Sequence, residues 1–408
     1  MGERLCLYLA RKRAHNAAMA RQPLPQPAPA APEPTTTTGG PPEKEAGGVL
    51  TIDLEALRAN YRMLAAMVLP GECAAVVKAD AYGCGLEQVA ATLLRADCRT
   101  FFVAHLAEAR RVRALSPEAT IYVLNGFSSA AGPAFVECQA RPVINSSVEL
   151  AEWDHFVTSS GWRGGAAVHV DTGMNRLGFT VEEAVAVAGR VQTANHGIAL
   201  LMSHLACAEL PEHPLNDQQI RQFRELRSLF RGVPSSLANS PGIFLDGSTY
   251  CDLVRPGIAL YGGNPTPRRS NPMKPVVELK ARILQVRDVP ARGTVGYGGT
   301  WTAKRDSRIA VVAAGYADGI PRAAAATEGA APREVIVAGK RCRIVGRVSM
   351  DLFAVDITDL PEGKVRRDDW AVLIGSGLTL DEVAAQAGTI SYEILTKLSR
   401  RYHRIWKV

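Results

Sequence analysis

No apolar run approaches the ~18 residues needed to cross a bilayer, so no membrane helix is expected. The eight cysteines, at 6, 73, 84, 98, 138, 207, 251 and 342, form no C-x-x-C pair. That argues against a zinc ribbon or a thioredoxin-type motif, and no metal site is expected. No G-x-G-x-x-G fingerprint follows a strand-like run, so a nicotinamide site has no support. Neither sign of charge dominates: the net is +7 over 408 residues, with acids interspersed among the bases. A nucleic-acid surface is therefore not expected. Leu5 to Ala10 is too short for a signal-peptide core. Cys73, Cys98 and Cys207 sit in apolar or helical contexts, as buried reduced thiols do, and a cytoplasmic location fits best.

Against these absences stands an ordinary globular composition, 47% hydrophobic and 21% charged. The length suits two or three domains. Residues 1–48 differ from the rest, with a basic start and then a Pro-, Ala- and Thr-rich stretch. Such a segment has too little apolar surface to offset its ordering entropy, and is read as a disordered, dispensable extension. Order is expected from Val49.

From there strand-like and helix-like stretches alternate. The strands are AAVVK at 74–78, FFVA at 101–104, IYVL at 121–124, PVIN at 142–145, AAVHV at 166–170, IALLMSH at 198–204, SSLANS at 235–240 and LVRPGIAL at 253–260. Helical patterns lie between most of them, the first at Leu54 to Val68 with Asp53 as its N-cap. Near-continuous apolar strands between helices indicate a parallel sheet buried on both faces. Eight such units predict a (β/α)8 TIM barrel over 49–275, with a doubly wound sheet as the competing topology. Residues 276–408 read as a second, mostly antiparallel β domain, which Val49 to Ile52 could join as a strand.

Barrel active sites form where strands end at their C-terminal side. Lys78 ends the first strand there, where desolvation suits a lysine to Schiff-base chemistry; a lysine snorkelling out of a strand end is the plain alternative. The seventh and eighth strands end near Asn239-Ser240 and Gly257-Ile258, where barrels often bind a phosphate. Asn-Ser before Pro241 could equally be only a cap and turn. A strand-end lysine and a phosphate site together suggest pyridoxal phosphate. Arg176, in DTGMNRLG, could grip a carboxylate or make an ordinary surface pair. His204 and Arg255 add two strand-end polar groups. GYGG at 296–299, holding Tyr297, is a tight-turn signal, and Ser349-Met350-Asp351 reads equally well as a strand edge. Asn145-Ser146-Ser147 matches a glycosylation triplet and carries no weight without a secretory signal.

With these motifs assembled, residues 49–408 resemble the alanine racemases. VVKADAYGCG, DTGMNRLGF, SHLACAE, LANS, VRPGIALYG, VGYGGTW, GYADG, GRVSMD and SYEIL all match in order. The resemblance implies a pyridoxal-phosphate enzyme that interconverts L- and D-alanine, either to supply D-alanine for peptidoglycan or in alanine catabolism. It implies a homodimer with shared active sites. Lys78 would be the Schiff-base lysine and one base; Tyr297 would be the other, reaching in from the partner. Tyr82, Ser240, Gly257, Ile258 and Tyr392 match phosphate-binding positions. Arg255 matches the group facing the pyridine nitrogen, and His204 the ring stacked beneath it. Arg176 and Met350 match the substrate-carboxylate site, and Asn239 and Asp351 match supporting positions.

One position departs from the pattern. The family often carries a lysine, frequently carbamylated, two residues before the DTGM aspartate, and here that residue is His169. Arg176 then needs another anchor, for which Asp171, a group of the partner subunit or a bound anion could serve. The rival readings are a broad-specificity amino-acid racemase, a same-fold amino-acid decarboxylase and a non-catalytic pyridoxal-phosphate carrier. The GYGG tyrosine and the large second domain count against the last two.

Overall fold

The computed structural model describes residues 36–192, 197–322 and 333–408. Seven parallel strands lie side by side in the order Ala75–Val76, Thr100–Val103, Thr120–Val123, Arg141–Ile144, Ala166–His169, Ile198–Met202 and Ser235–Ser236. The eighth, Leu253–Val254, pairs in parallel with Glu72–Cys73, the leading half of the first strand. Asp252 N–H donates to Ser235 O at 3.0 Å and Arg255 N–H to Ala238 O at 2.9 Å, so the ring closes into an eight-stranded barrel. The strand interiors are apolar and buried, as the runs in the sequence require.

Helices cover the outside, and their starts follow capping chemistry. Asp53 caps Leu54–Met67 by accepting from Ala56 N–H at 2.8 Å. Ser146 caps Ser147–Ser160, and Thr180 with Glu183 forms a reciprocal box at Val181–Ala188. The last two barrel strands are shorter than the expected 235–240 and 253–260. Pro241 and Pro256 have no N–H to give a ladder, and the chain turns at both places. Those turns become part of the site.

Among the described residues, nine strands build the second sheet, all antiparallel except the pairing of Gly48–Asp53 with His403–Lys407. The long strand Val277–Val289 organises it. Its first half pairs with Gly48–Asp53 and with Trp370–Ile374, its second half with Ser307–Val312, and its register shifts between Ile283 and Gln285. The strand Gly48–Asp53 pairs within this sheet before the chain enters the first barrel helix.

Order begins earlier than Val49, which corrects the expected boundary at residue 48. Thr37–Gly39 is an edge strand antiparallel to His403–Lys407. His403 Nδ1 bonds Pro41 O at 2.9 Å, Arg282 donates to Glu43 O at 3.3 Å, and Ala46 is buried. Composition missed this because the partners of this stretch lie more than 200 residues away. Residues 1–35 of the proposed extension lie outside the described residues. A chain beginning at Val49 should lose roughly 2 kcal/mol relative to one beginning at Thr36, from a few lost hydrogen bonds. Thermal melting of the two should differ by several degrees, and equal melting temperatures would show that the edge strand adds nothing.

Candidate active site

The C-terminal ends of the barrel strands enclose a cavity of about 670 Å³. Lys78, Asn145, His169, Arg176, His204, Asn239, Ser240, Arg255, Gly257 and Ile258 line it, each from the end of a strand or the loop beyond. Tyr392 joins them from the helix Ser391–Thr396 of the second domain. Nearly all residues singled out on the barrel thus meet in one place.

Lys78 enters the cavity from an unusual backbone. After the first strand the chain makes a left-handed helical turn, with φ of 55°, 55°, 53° and 55° at Ala79, Asp80, Ala81 and Tyr82. None is glycine, and each pays roughly 1–2 kcal/mol for the clash of Cβ with the next carbonyl. The turn closes at Gly83, whose φ of +78° a glycine adopts freely. Burial, and next the Arg176 charge, lower the Lys78 pKa from its ordinary value, while Glu108 draws it back up. Part of the lysine is therefore available as the neutral amine nearer pH 7 than a free lysine would be.

The turns after strands seven and eight form a set of donors. Ser240 Oγ accepts Gly257 N–H at 2.8 Å and Ala259 N–H at 3.3 Å, leaving its own proton to give. The Ile258 N–H group has no acceptor among the described residues, while the Ser240 backbone is engaged in the parallel bridge of Asn239 with Arg255. Tyr82 and Tyr392 add hydroxyls, their rings 6.0 Å apart, and Tyr82 stacks on Tyr261 at 4.5 Å. A Cβ on Gly257 would lie 2.2 Å from the Tyr82 hydroxyl, so only glycine leaves this space open. The carboxylate of Glu393 on this rim is occupied by Lys397 and Thr389, and that of Glu209 lies near enough to act on the Tyr392 hydroxyl. The hydroxyls of Ser240, Tyr82 and Tyr392 with the free Ile258 N–H form a donor set that suits a phosphate.

Across the floor lies Arg255, 3% exposed. Its guanidinium donates to Ser236 Oγ, Ser203 O and Leu237 O, and faces His204 Nδ1 at 3.4 Å. A guanidinium only donates, so His204 Nδ1 accepts from it, and the Asn239 Nδ2 donor faces Nε2 at 3.4 Å. Burial lowers Arg255 to about 10, and burial together with Arg255 holds His204 well below its ordinary value, hence neutral. Asn239 accepts Gly242 N–H at 3.0 Å and donates to Leu205 O at 3.1 Å, fixing the loop that carries Ser240.

Three matched residues, Tyr297, Met350 and Asp351, do not line this cavity. Tyr297 and Met350 belong to the second domain and are 71% and 54% exposed. Asp351 accepts Arg401 at 2.8 Å, and Arg401 also pairs with buried Asp318. Asp171 does not anchor Arg176. Its Oδ1 accepts the Gly173 and Met174 N–H groups, both at 2.8 Å, and so shapes the loop that bears the arginine. The suggestion that it replaces the missing lysine is corrected on that ground.

Sequence reasoning missed Asn145. Its Nδ2 donates to Val143 O at 2.8 Å, which turns Oδ1 toward His169 Nδ1 at 2.9 Å. The amide oxygen can only accept, so His169 carries its proton on Nδ1 and presents a bare Nε2. Its place at a strand end was the available signal, but there it read as a glycosylation triplet. Glu108 and Arg111, which hold the left-handed turn, were also missed, and nothing in their spacing marked them.

The N-terminal alanine racemase family model matches residues 52–265, and the C-terminal alanine racemase model matches 276–406. The chain belongs to the alanine racemase family. It is 54% identical over 358 residues to the alanine racemase of Methylobacterium nodulans, covering 88% of this chain and 95% of that one. It is 47% identical over 361 residues to the catabolic alanine racemase of Agrobacterium fabrum, covering 88% and 92%. The crystal structure of the Bartonella henselae alanine racemase, with covalently bound pyridoxal phosphate, superposes with a TM-score of 0.83 at 39% identity, covering 88% of this chain and 99% of that one. These likenesses span both domains of the family fold.

Burial and the Arg255 and Arg176 charges pull the His169 pKa from 6.5 down to about 4. The unfolded chain therefore binds more protons between those values, and His169 withdraws stability as the pH falls from 6.5 to about 4. Nitrogen NMR at pH 6 should show a neutral His169 ring protonated at Nδ1; a charged imidazolium there would overturn this assignment.

Proposed function

We propose that this member of the family interconverts L-alanine and D-alanine with pyridoxal phosphate, and that Lys78 and Tyr297 are its two bases. One observation carries the reading: the lysine, the phosphate-type donor set and the buried arginine converge on one barrel face. Pyridoxal phosphate supplies an aldehyde that captures an amine and a conjugated ring that takes up the electron pair left at Cα. Ser240, Ile258, Tyr82 and Tyr392 would hold its phosphate, with Gly257 keeping the space open. Arg255 suits the ring nitrogen, because it donates a hydrogen bond yet releases its proton only above about pH 10. Such a partner leaves the ring neutral, which favours reprotonation at Cα over transamination.

Racemisation removes the Cα proton from one face and returns one on the other, so it needs bases on both faces. Lys78 Nζ, with its lowered pKa, moves the proton on its face. Arg176, on the rim, takes the substrate carboxylate as an ion pair, with the backbone of Met350 of the partner subunit added to it. Tyr297 cannot serve the cavity of its own chain from an exposed loop of the second domain. A homodimer in which Tyr297 of the partner subunit covers the opposite face completes the site. The seven described cysteines are all free, which supports a cytoplasmic location.

Borohydride reduction of the cofactor-loaded protein, followed by peptide mapping, should leave a pyridoxyl group on Lys78. Label on another lysine would refute that assignment. In D2O, L-alanine should yield D-alanine with deuterium at Cα; carbon dioxide release instead would point to a decarboxylase.

Subunit mixing tests the shared site. Lys78→Ala and Tyr297→Phe homodimers should each be severely impaired. Random equal mixing makes half the dimers mixed, each with one intact site, so about a quarter of all sites should recover. No recovery despite demonstrated exchange would sink the shared-site model.

A further inference from the structure

Four consecutive left-handed residues without a glycine do not persist unless their surroundings hold them. Here one helix, Leu106–Leu115, holds them with two side chains of opposite charge. Glu108 Oε1 accepts the N–H of Ala79, the first left-handed residue, at 2.6 Å. Its Oε2 accepts Ala104 N–H at 2.8 Å and His105 N–H at 3.2 Å, at the end of the second strand. Three residues further on, Arg111 donates to Asp80 at 2.6 Å and grips Glu87 with two bonds of 2.6 Å each. Asp80 also accepts Leu86 N–H at 3.2 Å, so the far end of the turn is tied to the next helix.

We propose that Glu108 is a positioning residue for Lys78, holding the left-handed turn that aims the lysine into the cavity and keeping an anion beside its amine. The proposal rests on Lys78 being the cofactor lysine and a base. Glu108 does not line the cavity, so its action runs through the Ala79 amide and through charge. All three of its partners are N–H donors, and both carboxylate oxygens are engaged. Glutamine would have to turn an NH2 group against one of them, so the site calls for a carboxylate and not merely for a polar side chain of that length. The other titratable and charged groups of the cavity are Arg176 from the loop after strand five, His169 and His204 from strand ends, Arg255 from the floor, and Tyr392 and Glu393 from the second domain, the last held by Lys397 and Thr389. Glu108 opposes the cations, and it in turn is faced by His105 and by Arg111, whose charge is shared with Asp80 and Glu87.

Glu108→Gln tests both parts in the cofactor-loaded dimer. Its kcat should fall about tenfold while KM for alanine moves less than about threefold, since the lysine is misaligned and the carboxylate grip is untouched. The acid limb of the kcat–pH profile should move down by about half a unit, because the lysine loses the anion that favours its charged form. Cofactor release, followed by visible absorbance, should quicken about fivefold. The sharper arm is a cycle with Ala79→Gly, which lets the first residue adopt its left-handed angles without strain. If Glu108 holds that strain, Glu108→Gln should do at least about threefold less damage to kcat when compared with Ala79→Gly than when compared with the native chain. Equal damage in both backgrounds, with an unmoved pH profile and unmoved cofactor release, would overturn the proposal and leave Glu108 as a helix cap. Absence of pyridoxyl on Lys78 in the native protein would instead overturn the reading of Lys78 on which it rests.

Discussion

Arg255 places a permanent cation in the middle of the barrel, and the last three strands are arranged to accept it. Its guanidinium is buried and bonded to Ser203, Ser236 and Leu237, on strand six and on strand seven and its extension, while its own backbone extends strand eight. An unpaired charge at that depth would be strongly destabilising, so these acceptors come first and the site second. Once they are fixed, His204 is held neutral beside the arginine, and the turns at Ser240 and Gly257 fall next to each other. The donor cradle, the neutral histidine and the barrel closure are three consequences of one satisfied buried cation.

The second domain enters the site through backbone contacts on the other flank. Arg404 donates to Gly83 O and Trp406 Nε1 to Cys84 O, both at 2.6 Å, just after the left-handed turn. A Cβ on Gly83 would lie 2.3 Å from Leu395 O, so the helix that carries Tyr392 packs directly on the end of that turn. The turn is thus held by Leu106–Leu115 on one side and the C-terminal strand and helix on the other. The strain is local, and the groups that balance it come from four separate stretches of chain. That is how Lys78, at the head of a strained turn, is held in one aim.

His169 shows what a change at one position does to such a site. A carbamylated lysine would offer an anion near Arg176; a neutral imidazole fixed by Asn145 offers a lone pair and no charge. The positive charge of Arg176 is then less compensated inside its own chain, as the carboxylate-binding role proposed for it would require. The same charge reaches Lys78 and, after burial, is the next cause that lowers its pKa.

The order of strands and helices, the two domains and most of the barrel-side site were legible in the sequence by itself. Apolar strand runs, helix caps such as Asp53, and polar residues at strand ends follow from local chemistry that neighbours along the chain already carry. Lys78, Ser240 and Arg255 could be placed on one face because a barrel puts all strand ends there. The tertiary structure decided what depends on distant partners. The strand at Thr37–Gly39 exists because the C-terminal edge offers it a ladder. Asn145 became the group that sets the tautomer of His169 because strands four and five lie side by side. Left-handed angles at Ala79 to Tyr82 go against every local preference of those residues. They are affordable only with Glu108, Arg111 and Leu395 packed around them, and no pattern within the segment records that.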